Sequence, residues 1–166
     1  MRIVLDVFGD VQLDRTLLRF ADRTDDMSPV FEVLARDFYK IERSQFRTQG
    51  RFSGGWQELS PAYAARKARK YPGTKILHAT GDLEASLTRF GARNSVREIT
   101  RDSLLIGTSN PKAAYHQHGG DNLPQRRPVE LSKGTRNRWV KAIQRYLTTG
   151  EISASGRAIQ PRQAST

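Results

Sequence analysis

The chain has 166 residues, of which 37% are hydrophobic, 27% are charged and none is cysteine. This length suits a single domain with a modest core, and the lack of cysteine excludes disulfides, thiolate metal sites and a cysteine nucleophile. No apolar run reaches the length of a bilayer span, and the start of the chain, MRIVLDVFGD, is too short and too acidic for a signal peptide. We therefore expect a soluble protein made in a cytoplasm, with no membrane partner.

The 28 basic residues outnumber the 17 acidic ones, which gives a formal net charge of +11. Such an excess predicts binding to a polyanion, because each neutralised phosphate releases counterions and adds affinity that does not depend on sequence. It is also typical of a surface charge that only maintains solubility, or of a ring whose subunits direct their charges toward one lumen. Composition leaves these three interpretations open.

The N-terminal third predicts one strand and two helices. Residues 2–8 favour a strand at or near a sheet edge, and the apolar spacing over 11–21 predicts a short amphipathic helix capped by Asp14. Ser28-Pro29 is typical of a helix start, with serine as the cap and proline in the first turn. Apolar residues then recur at three- and four-residue steps, which predicts a long helix near residues 29–46.

The C-terminal half predicts a hairpin and a further helix. Residues 95–100 and 103–107 favour two strands that pair antiparallel through a tight connection at Arg101-Asp102. A helix near residues 132–147 is predicted from its apolar stripe, with Ser132 as the cap.

The stretch from Leu104 to Leu131 carries the most unusual local chemistry. It opens with an apolar run that is typical of the end of a buried strand, and one or two helical turns are predicted over 112–117. Pro124 and Pro128 then hold the segment between them extended, since each fixes its own φ and restricts the residue before it. We expect this stiff loop to display the two arginines between the prolines, Arg126 and Arg127.

Two other features admit more than one interpretation. Trp56 follows the glycine pair at 54–55, and a tryptophan in this setting more often fills a core or anchors an interface than forms a ligand platform. A helix predicted over 62–71 carries a basic run that favours either a nucleic-acid patch or a solvated helical face. The run consists of Arg66, Lys67, Arg69 and Lys70.

The strongest candidates for catalysis are His116 and His118, with Asp121 nearby. Two histidines two residues apart on an extended segment could bind zinc together with Asp121 or His78, but no second ligand pair supports that site. The nearby serines lack the sequence of a nucleophile elbow, and the glycine-rich loops lack phosphate-binding spacing. We therefore predict that the chain is not an enzyme and needs no metal or cofactor.

The order of several short motifs provides a resemblance. Residues 7–147 resemble the phage virion morphogenesis family, the tail-completion or neck proteins of tailed bacteriophages. The family usually has a hydrophobic or aromatic residue where this chain has His118. It usually has the motif PARPF, whose arginine corresponds to either Arg126 or Arg127 of this chain. The motifs are Trp56-Gln57-Glu58-Leu59-Ser60-Pro61, Lys75-Ile76-Leu77, Thr80-Gly81-Asp82-Leu83, Ser86-Leu87, Ile106-Gly107-Thr108, Tyr115-His116-Gln117-His118-Gly119-Gly120 and Pro124-Gln125-Arg126-Arg127-Pro128.

This resemblance implies an α+β fold, with a small antiparallel sheet flanked by helices. We expect residues 1–148 to form a single domain, and residues 149–166, which lack aromatic side chains and apolar periodicity, predict a flexible tail. It implies a structural subunit that forms a homo-oligomeric ring, with six subunits expected, at the neck or the head-proximal end of the tail of a virion. Its partners would be head-closure, tail-terminator and tail-tube proteins, and genomic DNA contacted without sequence specificity in the channel. The alternative is a basic protein that binds nucleic acid on its own.

Residue roles follow from the same interpretation. The subunit interface is expected to use the Trp56 loop and the stretch from Tyr115 to Pro128, and the basic run on the helix over 62–71 would line the DNA channel. The expected interface residues are Trp56, Tyr115, His116, Gln117, Arg126, Arg127 and Pro128.

Overall fold

The computed structural model describes residues 11–152, with the side chains of residues 15–152. Within this part of the chain, four α-helices precede one antiparallel pair of strands and two follow it, and the predicted α+β class is confirmed. The strand predicted over 2–8 lies outside the described residues. In chain order the elements are α1 (Val11–Asp25), α2 (Ser28–Arg47), α3 (Pro61–Lys70), α4 (Asp82–Thr88), β1 (Ser95–Ile99), β2 (Leu104–Thr108), α5 (Pro111–His118) and α6 (Lys133–Thr149).

Helix α2 is the central element, and the long helix predicted near 29–46 is confirmed. Its cap differs from the prediction, because Ser28 is already the first helical residue. The Oδ1 atom of Asp26 accepts hydrogen bonds from the backbone N–H of Ser28 at 2.9 Å and from its hydroxyl at 2.6 Å. A carboxylate is a favourable acceptor there, since the N-terminus of a helix carries partial positive charge.

Two hydrophobic clusters meet along α2. One cluster joins its C-terminal half to α4, and the other joins its N-terminal half to α6. Asp37 links the two helices on the polar side, because its Oδ2 accepts from Arg138 at 2.7 Å and from the Trp139 indole at 2.8 Å. The buried members are Phe38, Tyr39, Phe46, Trp56, Leu83 and Leu87 in the first cluster, and Val30, Phe31, Leu34, Ala142 and Tyr146 in the second.

The predicted hairpin is confirmed, with Ser95 opposite Thr108 and Ile99 opposite Leu104. It packs against α2 and α4. The side chain of Leu105 is 57% exposed, so the prediction that this strand is buried is wrong. Alternate residues of a strand face opposite sides, and the side that carries Leu105 is left partly open to solvent.

Helix α1 extends beyond its predicted span. It begins at Val11, so Asp14 lies within the helix and is not its cap, and it continues to Asp25. Its end packs against α6, where Arg23 donates to the carbonyl oxygens of Leu147 at 3.1 Å and Thr148 at 2.9 Å. A guanidinium is favourable at this position because the last carbonyls of a helix lack internal partners and carry partial negative charge.

The predicted C-terminal helix is also confirmed, and its cap is the predicted one, since the Ser132 hydroxyl accepts from the backbone N–H of Thr135 at 3.1 Å. Helix α6 reaches Thr149, and Ile152 packs against the cluster between α2 and α6. The described structure therefore continues past the boundary predicted at 148, and residues 153–166 of the predicted tail lie outside it. No helix within residues 11–152 is long and apolar enough to cross a bilayer.

Candidate assembly surface

The segment between Pro124 and Pro128 lies against the loop that follows Trp56. Arg126 is only 5% exposed, and its guanidinium donates to the carbonyl oxygen of Gln57 at 2.6 Å through Nε and to that of Glu58 at 2.8 Å. Its backbone N–H donates to the carbonyl of His116 at 2.9 Å. The prediction that Arg126 is displayed on the loop is therefore wrong, because it joins two segments of its own chain.

Trp56 fills the core beneath this segment. It is 6% exposed and meets the Phe46 ring edge to face, with the centroids 5.2 Å apart. Its indole N–H donates to the carbonyl of Arg127 at 2.9 Å. Gly50 makes this position possible, since a Cβ on that residue would lie 2.4 Å from the Trp56 ring. The sequence favoured either a core residue or an interface anchor at Trp56, and these contacts are those of a core residue.

Gln117 and Pro128 complete the inner side of the segment. The amide of Gln117 donates to the carbonyl of Val129 at 3.0 Å and accepts from its N–H at 3.3 Å. Pro128 is fully buried. Gly119, with φ of 72°, lets the chain turn here, since a Cβ would lie 2.9 Å from the backbone nitrogen of Gln125. These contacts support the predicted stiffness of the segment.

Of the seven residues predicted for a subunit interface, two present substantial side-chain surface. Tyr115 is 67% exposed, and the Arg127 side chain is 46% exposed while it pairs with Glu130 at 3.1 Å. His116 is half-buried, and the remaining four are committed to contacts within the chain. An intersubunit contact by Tyr115 or Arg127 stays a prediction, and Arg127 is now the better of the two arginines for it.

The basic run on α3 divides in the same way. Three of its residues, Arg66, Arg69 and Lys70, are exposed. Lys67 is 7% exposed, and its ammonium donates to the carbonyl of Thr74 at 3.2 Å and to that of Lys75. Burial lowers the pKa of Lys67. Its predicted place in the DNA channel is therefore corrected, because the ammonium group stabilises the turn that follows α3.

The two histidines considered for a metal site lie on α5, where the sequence predicted helical turns. His116 points toward the chain interior, and its Nδ1 atom is buried without a hydrogen-bond partner in the described structure. Burial lowers the pKa of His116, and the charges of Arg126 and Lys112 lower it further. Within the described residues, no group of three or more histidines and carboxylates is arranged to hold a metal ion.

A second set of surface residues was not expected from the sequence. The apolar spacing of α1 predicted an amphipathic helix, yet Leu17 is 57%, Leu18 is 65% and Phe20 is 44% exposed. Phe90, before the hairpin, is 68% exposed. Adjacent leucines at 17 and 18 followed by Phe20 spread around a helix rather than along one stripe. This spacing was the signal in the sequence that one packed face could not cover all three side chains. We call these three α1 residues the α1 apolar surface.

A cavity of about 670 Å³ opens between α3, α5 and the loops around Leu77 and Leu123. Its lining combines leucine side chains with basic groups, and Glu58 is the acidic residue among them. The basic groups and His116 come from three segments that sequence analysis treated separately. They are Lys67, Lys112, His116 and Arg126.

Comparison with known proteins gives one match. Searches of curated proteins and of solved structures find no significant similarity. The model of the phage virion morphogenesis family matches residues 9–148, which contain every described helix and strand except Thr149, the last residue of α6. The Trp56 loop, α5 and the segment from Pro124 to Pro128 all fall within this match. The chain belongs to the phage virion morphogenesis family, and its role is a structural one in building a phage virion.

Proposed function

We propose that the protein is a tail-completion or head-tail connector subunit of a tailed bacteriophage, and that it forms a homo-oligomeric ring around the DNA channel at the neck. The observation that carries this proposal is the family match over residues 9–148. Ring formation and the position at the neck extend the structural role that family membership gives. Six subunits are expected from the sixfold symmetry of phage tails.

The surface of the described chain supports self-association. The α1 apolar surface and Phe90 expose large hydrophobic side chains that the rest of the described chain leaves open to solvent. Patches of this kind mark interaction sites on soluble proteins. A ring buries one patch of each subunit against a different patch of the next, so a single chain necessarily shows both halves of the interface uncovered.

The charge of the chain fits a position beside DNA. The net charge of +11 would be multiplied by the number of subunits and directed in part toward one lumen, which gives a field stronger than that of a monomer. Such attraction does not depend on sequence and weakens with salt, which suits DNA that must slide through a channel. Head-closure, tail-terminator and tail-tube proteins would be the neighbours along the axis.

A deletion and rescue experiment in the phage tests this function. Without the gene, we expect lysates with filled heads and separate tails in electron micrographs, and a tagged copy supplied in trans should restore joined particles with the tag at the neck. Tails of normal length joined to heads in the deletion lysate would contradict the proposal. A portal gene deletion serves as the control for a defect that arises in the head.

The alternative is a free-standing nucleic-acid-binding protein, favoured by the same net charge and by the exposed basic residues of α3. Light scattering coupled to gel filtration separates the two. A ring protein is expected to elute as an oligomer at moderate salt, whereas the alternative predicts a monomer or dimer that shifts DNA with a steep salt dependence. A monomer that binds DNA tightly and joins no phage assembly would favour the alternative.

A further inference from the structure

The cavity beside α3 and α5 holds more positive charge than the described chain neutralises. Lys67 and Arg126 are 7% and 5% exposed, and neither has a carboxylate partner among residues 15–152. Each donates instead to backbone carbonyl oxygens. Burying a charge without an opposite charge is costly, so an anionic group placed in this cavity would be stabilised by both side chains.

Two further groups make the cavity a suitable site for a carboxylate. Lys112 lies on its rim, and His116 contributes a buried Nδ1 that has no hydrogen-bond partner within residues 11–152. The positive potential is already evident in His116, because burial and then the charges of Arg126 and Lys112 lower its pKa. An acceptor oxygen would relieve both the unpaired charge and the unpaired ring nitrogen.

The rest of the lining mixes apolar side chains with polar ones, and Glu58 is its one acidic residue. Leu59, Leu77, Leu83 and Leu123 contribute to the wall, and the volume of about 670 Å³ lies within the range of ligand pockets. A small inorganic anion would leave these leucines in contact with water. The lining therefore fits an occupant that carries a carboxylate between apolar side chains, as a segment of polypeptide can.

One segment of this chain has that composition. In residues 1–10, which the structure does not describe, Asp6 follows Val4 and Leu5 and precedes Val7 and Phe8. The other segment outside the described residues, 153–166, has no acidic side chain and carries two arginines. Charge complementarity therefore selects the N-terminal segment.

We propose that the cavity binds residues 3–8 of a second copy of this chain, with the Asp6 carboxylate beside Lys112 and Arg126 and the flanking apolar side chains against the leucines. Helix α1, which follows this segment, packs against α6, and α6 contributes no residue to the cavity lining. The proposal rests on the proposed self-assembly, since each subunit would receive the segment of its neighbour. It is a heterologous contact of the kind that closes a ring.

Cross-linking tests the contact directly, because the natural chain has no cysteine. Two full-length variants with different tags, Val7→Cys and Ala79→Cys, are mixed and treated with a short bismaleimide. Ala79 lines the cavity, so we expect a cross-linked species that carries both tags on a denaturing gel. Gln144→Cys, exposed on α6, replaces Ala79→Cys as the matched control and should give at most one tenth of that product.

The charge requirement is tested by exchange. In the Val7→Cys partner, Asp6→Lys should lower the cross-linking yield at least about fivefold, and Lys112→Glu in the Ala79→Cys partner should restore most of it. An unchanged yield with Asp6→Lys overturns the proposal. So does a chain carrying both cysteines that cross-links only to itself, because the segment would then occupy the cavity of its own chain.

A peptide separates this proposal from the ring itself. A synthetic peptide of residues 1–10 with Val7→Cys is offered to the Ala79→Cys variant, and its capture should fall when the peptide also carries Asp6→Asn. Capture of the peptide by a chain that elutes as a monomer keeps the cavity proposal and contradicts the ring. An oligomer whose Ala79→Cys variant captures neither peptide nor neighbour contradicts the cavity proposal and keeps the ring.

Discussion

Arg126 and Arg127 are neighbours in sequence with opposite environments. The guanidinium of Arg126 holds the carbonyls of Gln57 and Glu58 inside the chain, whereas that of Arg127 lies at the surface beside Glu130. Because the prolines on either side keep the segment extended, successive side chains point to opposite sides. The first arginine therefore serves the fold, and the second remains accessible to a partner.

This contrast predicts different costs for two alanine variants. Arg126→Ala removes two hydrogen bonds from a charged donor and leaves two carbonyls unpaired, so we expect a loss of about 3 kcal/mol in the free energy of unfolding. Arg127→Ala removes a half-exposed ion pair and should change it by less than about 1 kcal/mol. Urea titration of both variants measures the difference, and equal midpoints would contradict the role assigned to Arg126.

Glu42 is a carboxylic acid buried in the core. It is 0% exposed, and neither carboxyl oxygen has a hydrogen-bond partner within the described residues. Burial raises the pKa of Glu42 from 4.5 to about 9. The folded state thus keeps a proton that the unfolded state releases above pH 4.5, and stability falls as the pH rises from about 4.5 to about 9.

Substitution of this carboxyl should remove that pH dependence. At pH 7 the linkage amounts to about 3 kcal/mol, so Glu42→Gln is expected to be more stable than the natural chain at pH 8 and nearly equal to it at pH 5. Thermal unfolding over this pH range checks the prediction, with Glu58→Gln as a control at an exposed acid. Parallel pH profiles for the natural chain and Glu42→Gln would show that Glu42 ionises normally.

Among the described elements, α1 carries several large apolar side chains that the described chain leaves exposed. Arg23 ties its end to α6, yet the α1 apolar surface faces water. We expect Leu17→Gln with Leu18→Gln to leave the fold intact, since exposed positions contribute little to stability and glutamine keeps the helical propensity. The same pair should weaken each subunit contact by about 2 kcal/mol, or about 30-fold in dissociation constant.

Light scattering over a concentration series measures that loss. Arg19→Gln is a suitable control, because it changes an exposed residue of the same helix without removing apolar surface. A double variant that dissociates no more readily than the control would place α1 outside the interface. A double variant with a lowered unfolding temperature as a dilute monomer would instead make the two leucines part of the fold.

Sequence periodicity predicted the long elements and missed what lies between them. Helix α2, the hairpin and α6 follow from apolar spacing and from the cap at Ser132, which are local signals. The position of Arg126 depends on carbonyls of Gln57 and Glu58, almost seventy residues away, and no local pattern encodes such a contact. For the same reason the buried ammonium of Lys67 could not be told from the exposed charges beside it on α3.

At the scale of the whole molecule, charge is the property that a ring would use. Helix α3 presents three positive charges to solvent, on Arg66, Arg69 and Lys70. Helix α6 also presents three, on Lys133, Arg136 and Lys141. Both helices cannot line one channel equally unless they face the same side of the assembled ring. Removing the charges of one helix at a time therefore shows which surface lies beside DNA.

We expect the α3 variant, with Arg66, Arg69 and Lys70 changed to alanine, to bind duplex DNA more weakly than the natural assembly. If each residue neutralises one phosphate, the slope of log K against log salt should flatten by about 2.7, since each contact contributes about 0.9. The matched α6 variant removes the same charge and should leave the slope nearly unchanged. Fluorescence anisotropy at four salt concentrations gives both slopes. A flattened slope for the α6 variant alone would move the channel to that helix, and equal flattening would mean that the protein binds DNA through its net charge rather than through one surface.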